Sequence, residues 1–338
     1  MRIVHVFSSG ISNVNGVTNV VENLSSHQRN LGNSVLVVNI TKKDEIPSII
    51  QFRPDIVCFH GLYYFQYLRI AILLNKKEIP YVIQFHGGAS SDNYKKHKLK
   101  KSIANTLFFN SFVNSARATV YLNTGEYNKS IFKKFECPFF LLPNGIVQRQ
   151  SYSTKVNSVI NIMFFSRIDV YGKGLDILAK VIKRISELEI ANSLVFTFYG
   201  HLYDSSKHFF EQFESSLVEY RGIVYDKEKE KAFDESDIVI LPSRSEGMPL
   251  TILEAFSFGR PVIVTPETNM ADIVVENKLG WVTKLTVEEM LSTILDSIDD
   301  YKSDIVGYRE RCFRFSFKYS WDAVARQSVE SYYRFIKE

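Results

Sequence analysis

The sequence predicts an α/β fold built on two parallel sheets. Three observations carry this. Short β-branched or aromatic runs alternate with segments of helical period. The alternation halts at a polar stretch, residues 148–158, and then begins afresh. The 338 residues, 45% apolar with 26 Phe and 18 Tyr, are enough to fill two cores. Alternating strands and helices imply parallel pairing with helices over both faces. With 23% charged residues, 16 Gly and 9 Pro, the composition excludes a disordered, collagen-like or linker-rich chain.

In the first half, strands are expected at residues 2–7, 34–40, 55–60, 80–85, 118–122 and 139–142. Residues 17–31 and 105–115 between them have helical spacing, and Gly32 is placed as the stop of the first of these helices. After the polar stretch, strands are expected at 159–165, 194–199, 221–224, 237–241 and 261–265, again with helices between. The last segment, 319–337, has helical period and carries Trp321, Val324, Tyr332 and Phe335, long enough to cross a domain boundary. The expected domains are 1–147 and 155–318, with 319–338 packing back toward the first. Two sheets joined near Pro143-Asn144-Gly145 would form a cleft, and ligands of open α/β sheets sit outside the carboxyl ends of the strands.

The formal charge of +4 hides an asymmetry. Residues 1–150 hold 18 Lys and Arg against 8 Asp and Glu, so the first half is basic and the second acidic. A basic half facing an acidic one suggests two tasks, the basic one directed at something anionic. The three cysteines, Cys58, Cys137 and Cys312, have no metal-finger spacing and fit a reducing compartment. Residues 1–8 read as a first strand rather than a signal peptide, and no apolar run approaches a membrane span. A cytoplasmic protein is expected, soluble or peripheral on the inner face of the cell membrane.

The densest chemistry lies in the string from Asp237 to Val262. It reads as strand, loop, helix, stop and strand, with Pro249 in the first helical turn and Gly259 as the stop. The helix would aim free N–H groups and a partial positive charge out of the sheet edge, as a diphosphate site requires. Glu246 stands before that helix and Glu254 within it. Arg167 and Lys173 lie six residues apart on a loop that follows another strand and enters a helix. The loop 12–17 joins the first strand to the first helix but holds only Gly16, so neither a dinucleotide fingerprint nor a P-loop can be read there. His86 and His60 each end a strand. Lys95, Lys96, Lys98, Lys100 and Lys101 form the most basic block, followed by apolar residues 103–113. Such a block is commonly only a solvated face, although an anionic leaflet would also reward it. Nucleic acid is not an expected partner, since no reader module is recognisable.

These pieces, in this order, resemble the retaining GT-B glycosyltransferases of the family 4 type, whose Glu-x7-Glu motif follows a strand and spans a loop and helix. The resemblance implies two Rossmann-like domains facing across a cleft, with a C-terminal helix crossing between them. It implies transfer of a hexosyl group from a UDP- or GDP-sugar to a glycan or polyprenyl-diphosphate-linked acceptor, with retained configuration and without a metal or other cofactor. Glu246, Arg167, Lys173 and His86 would be catalytic. Gly16, Gly247, Met248, Leu250, Thr251 and Glu254 would bind the donor, Arg167 and Lys173 gripping its diphosphate as charge builds on the leaving group. His60 and the lysine block would lie on the acceptor or membrane side. The string Ser245-Glu246-Gly247-Met248-Pro249 beside a basic first domain resembles enzymes of bacterial surface polysaccharide, O-antigen or capsule. Departures are Asn15 in place of a glycine and Pro249, which removes one backbone donor. A sugar-nucleotide epimerase, a phosphorylase or a non-catalytic polysaccharide- or partner-binding protein remain alternatives on the same fold.

Overall fold

The computed structural model describes residues 1–8, 16–41, 46–95 and 97–337. It divides into two compact units, Met1–Gly145 with Tyr319–Glu338, and Ile146–Lys318. Each holds a six-stranded parallel sheet. This is the α/β architecture that the alternation of elements predicts.

The strands of the first unit are β1 (Arg2–Phe7), β2 (Ser34–Asn39), β3 (Ile56–His60), β4 (Tyr81–Gln84), β5 (Ala118–Tyr121) and β6 (Phe139–Leu141), in the order β2-β1-β3-β4-β5-β6. The central strands are buried on both sides, which is why Ile-Val-Cys-Phe and Tyr-Val-Ile-Gln read as unbroken runs rather than alternating ones. One face is covered by the helices Gly16–Asn30 and Trp321–Lys337, whose Val20, Leu24, Val324 and Tyr332 pack on Ile3, Cys58 and Val120. Gly145, the last residue of the unit's first segment, lies against the Trp321 ring so closely that a Cβ there would collide with it. The segment expected as one helix over 105–115 winds instead as a π-turn, Asn105–Phe109, followed by the α-helix Asn110–Asn114.

The second unit's strands are β7 (Ile160–Phe165), β8 (Leu194–Tyr199), β9 (Val218–Tyr220), β10 (Ile238–Leu241), β11 (Val262–Val264) and β12 (Gly280–Val282). Their order is β12-β11-β10-β7-β8-β9, a doubly wound sheet whose order reverses between β7 and β10. Two expectations are corrected here. The third strand lies at Val218–Tyr220 rather than 221–224, and β12 was not expected at all. The helix Leu175–Ile185 buries Leu175, Leu178, Ala179, Ile182 and Ile185, one stripe at helical spacing. Arg309, on the helix Ile305–Ser316, is buried and donates to Tyr301, to the carbonyls of Ser153 and Lys155, and to Asp237 at 3.1 Å. No helix among the described residues is long and apolar enough to cross a membrane.

Candidate active site

In the second unit, the loops leaving β7 and β10 stand side by side at the reversal point of the sheet. Gly174 caps the helix Leu175–Ile185 at φ +68°, and a Cβ there would collide with the carbonyl oxygen of Pro242. Only glycine lets the two loops approach this far. Arg244 then clamps them: its fork meets both oxygens of Asp176 at 2.6 and 2.9 Å, its amide bonds Gly172 O at 2.9 Å, and its guanidinium lies over the Tyr171 ring.

That clamp sets Lys173 against Glu246. The ammonium donates to Glu246 Oε1, which also accepts from Ser243 Oγ at 2.8 Å, and both side chains are largely buried. The Glu246 backbone is held in turn by Glu267 O and by Asn269 Nδ2 at 2.7 Å. An ammonium has three protons, so Lys173 can keep Glu246 and still offer two to an anion. Arg167 is exposed on the same loop as Lys173, donates to Tyr203 Oη at 3.1 Å and has no carboxylate partner among the described residues.

Glu254 forms an ion pair with Lys229 at 2.6 Å, a partner that no local spacing marks. Its helix begins at Leu250, and Pro249 is the N-cap rather than a residue of the first turn. Pro249 therefore deprives the helix of no inner donor, and its carbonyl accepts from Ile252. Met248 lies ahead of the helix with its side chain buried, so its amide is not one of the helix's own. The Thr251 hydroxyl ties the helix start to Phe165 O at the end of β7, at 2.8 Å. Gly247 O accepts from Asn269.

In the first unit, Gly16 opens the first helix, while the loop residues 12–15 lie outside the described residues, as does Lys96. His86 follows β4 with a left-handed backbone, φ +50°. Two side chains hold its loop: Glu126 accepts from Gly87 N and, at 2.5 Å, from Leu122 N, and Asn93 donates to Gly87 O. Burial raises the Glu126 carboxyl above its usual range. Glu126 was not among the expected residues, although Asn123 three residues before it gives the capping signature that the structure shows.

His60, expected on the acceptor or membrane side, does not reach the surface. It is fully buried and bonded to His5 and His86, because β3 pairs with β1 and its last side chain points into the sheet's covered face. Of the lysine block, Lys95, Lys98 and Lys100 are exposed, whereas Lys101 donates to Asn93 O and lies over the Tyr63 ring. One set of donor atoms, on His5, Cys58 and His60, falls within 4.8 Å. Hydrogen bonds already use the facing nitrogens of the two histidines, and burial pushes the Cys58 thiol up to about 12.

Burial pushes His5 and His86 down to about 4 and holds His60 well below its ordinary 6.5. The sign of the linkage follows. Between 6.5 and about 4 the unfolded chain takes up protons at these rings and the folded chain does not, so folding stability falls as pH falls through that window. Each ring contributes up to about 1.4 kcal/mol per pH unit. Denaturant unfolding at pH 7, 6 and 5 is expected to show this loss, smaller in His5→Gln; a flat profile contradicts the neutral array.

Comparisons with known proteins bear on the fold. Residues 160–300 match the family model described as glycosyl transferases group 1. An uncharacterised 41.2 kDa protein of the cps region of Klebsiella pneumoniae is 33% identical over 138 residues, 41% of this chain and 36% of that protein, so the matched stretch spans about a third of the relative's length. An uncharacterised glycosyltransferase of Methanocaldococcus jannaschii is 25% identical over 75% of this chain and 68% of its own length. Among solved structures, HepE of Anabaena in complex with UDP and glucose superposes with a TM-score of 0.72 at 14% identity, over 98% of this chain and 99% of that one. The chain therefore has the GT-B fold, and its residues 160–300 are similar to the group 1 glycosyltransferases.

Proposed function

We propose that the chain is a retaining glycosyltransferase that moves a sugar from a nucleoside diphosphate to a glycan or lipid-linked acceptor in the building of a bacterial surface polysaccharide. The single observation behind this is the Lys173–Glu246 pair, set by the Arg244 clamp at the sheet's reversal point, with Arg167 six residues before Lys173 on the same loop. A fixed ammonium next to a fixed carboxylate, with a guanidinium on the same loop, suits a substrate that joins a diphosphate to a polyol.

In this reading Lys173 and Arg167, with the Leu250 and Thr251 amides, stabilise negative charge as it builds on the leaving diphosphate. Glu246 holds sugar hydroxyls, and Glu254 accepts a ribose hydroxyl while Lys229 orients it. His86 is assigned to a hydroxyl of the transferred sugar. No side chain serves as a nucleophile, and the departing phosphate oxygen takes the proton of the incoming hydroxyl, so the new bond forms on the face the old one leaves. The chain's own residues supply the charge, with no metal needed for that step. The cps-region relative supports the polysaccharide role, and the UDP and glucose bound by HepE support a nucleotide-sugar donor.

Lys98 and Lys100, beside exposed Leu99, Ile103, Leu107 and Phe108, would rest on an anionic inner leaflet near a lipid-linked acceptor. Co-sedimentation with anionic but not neutral vesicles is expected, and equal behaviour with both contradicts that part. For the reaction itself, the chain is incubated with UDP- and GDP-sugars. Acceptor-dependent release of UDP or GDP supports transfer, whereas conversion of the sugar without a second substrate assigns the site to epimerisation.

A further inference from the structure

The first unit contains a line of side chains that the function above leaves unused. Gln28 Nε2 bonds Ser328 Oγ at 2.9 Å, Gln28 Oε1 bonds His5 Nε2 at 2.8 Å, His5 Nδ1 bonds His60 Nε2 at 2.8 Å, and His60 Nδ1 bonds His86 Nε2 at 2.8 Å. It runs from the C-terminal helix through the helix Gly16–Asn30 and across β1 and β3 to the loop after β4. Ser328, Gln28, His5 and His60 are all buried.

A neutral imidazole has one N–H and one lone pair, so three in series must all point one way or all the other. Burial keeps these three neutral at pH 7. Satisfying the buried nitrogens would be achieved equally by either direction. The far end decides between them. Ser328 has a single hydroxyl proton, and it donates this to Ala325 O at 2.7 Å, an oxygen that can only accept. Its Oγ therefore accepts from the Gln28 amide nitrogen, which turns the Gln28 carbonyl to His5. His5 then donates from Nε2, so its Nδ1 accepts from His60 Nε2–H, and His60 Nδ1 accepts from His86 Nε2–H. The lone pair left over is His86 Nδ1, which has no hydrogen-bond partner among the described residues.

We infer that Ser328, Gln28, His5 and His60 are positioning residues that hold His86 as its Nε2–H tautomer and present its Nδ1 as the acceptor for a substrate hydroxyl. The inference deepens the proposed function and rests on its assignment of His86 to the reacting sugar. A free imidazole would exchange between tautomers and meet the hydroxyl with the wrong one part of the time. The line removes that alternative before substrate binds, and the rigid loop held by Glu126 and Asn93 fixes the ring's place.

The test is nitrogen NMR of the full chain with ¹⁵N-labelled histidine and no ligand, His86 being assigned through His86→Gln. The expected spectrum shows His5, His60 and His86 each with a protonated Nε2 and an unprotonated Nδ1 at pH 7. A protonated Nδ1 at His86, or an average of both forms, overturns the inference. In Gln28→Met, which removes the acceptor for His5, the His86 tautomer is expected to become mixed and turnover to fall about tenfold, the equivalent of one hydrogen bond. Ser328→Ala, which frees the Gln28 amide to turn, is expected to mix the tautomer as well and serves if Gln28→Met does not fold. An unchanged tautomer and turnover in the folded variant overturns the inference. Failure of the underlying reading looks different: His86→Ala at full turnover, with the expected tautomer in the parent chain, removes the acceptor role while leaving the line intact.

Discussion

Lys173→Ala is expected to lower turnover by about 10²–10³-fold, the size of effect seen when one fixed stabiliser of developing charge is removed. The ammonium is held before substrate arrives by Glu246, whose other partner is the Ser243 hydroxyl. A prepositioned charge needs no reorganisation as the diphosphate leaves, so its loss falls on the transition state more than on the bound donor. The turnover number should therefore fall much further than donor affinity. Lys173→Met, which keeps the alkyl stem between the two loops, should fall equally. The Arg244–Asp176 clamp is untouched in both, so circular dichroism and thermal unfolding should report a folded chain. Near-parental turnover in either variant contradicts the role given to Lys173.

The largest effect on stability is expected at Arg309. Its guanidinium is buried in the second unit and donates to Tyr301, to two backbone carbonyls and to Asp237. Asp237 is buried as well and takes further bonds from the Asn161 amide and from Asn157. Arg309→Leu leaves a carboxylate in the interior without its counter-charge, and two carbonyls, of Ser153 and Lys155, without a donor. The cost is expected at about 3–5 kcal/mol, measured by denaturant unfolding. Arg309→Leu combined with Asp237→Asn should recover part of that loss, since no unpaired charge then remains. An isolated loss under about 1 kcal/mol would mean that water reaches this site.

The fold was legible because buried parallel strands are continuous apolar runs, and each of the long ones announced itself. The short edge strands did not. β9 is Val-Glu-Tyr and lies just after an aromatic 3-10 turn, Phe209–Gln212, so its run is too short and too polar to separate from its surroundings. β12 opens on Gly280, at φ +148°, and has only three residues. Of the site, Arg167, Lys173, Glu246 and Glu254 were visible as residues because charge and strand ends can be read locally. Their partners were not. Lys229 and Glu254 lie on different helices, and Arg244 lies on a loop while Asp176 is in the first turn of the helix Leu175–Ile185, so only the strand order brings them together. The line from Ser328 to His86 joins residues up to 300 positions apart in sequence, and nothing in their spacing marks it. His60 reads locally only as the end of a strand, and it is the pairing of β1 with β3 that places His5 beside it.

Calorimetric titration of UDP and of GDP into the parent chain and into Arg167→Ala/Lys173→Ala, at one fixed salt concentration, tests most directly the claim that these cations hold a diphosphate. One of the two nucleotides should bind the parent chain, and the double variant should bind it at least about tenfold more weakly, one charge-assisted contact being worth about 1.5–3 kcal/mol. Equal binding by both proteins, or no binding of either nucleotide to the parent chain, would contradict it.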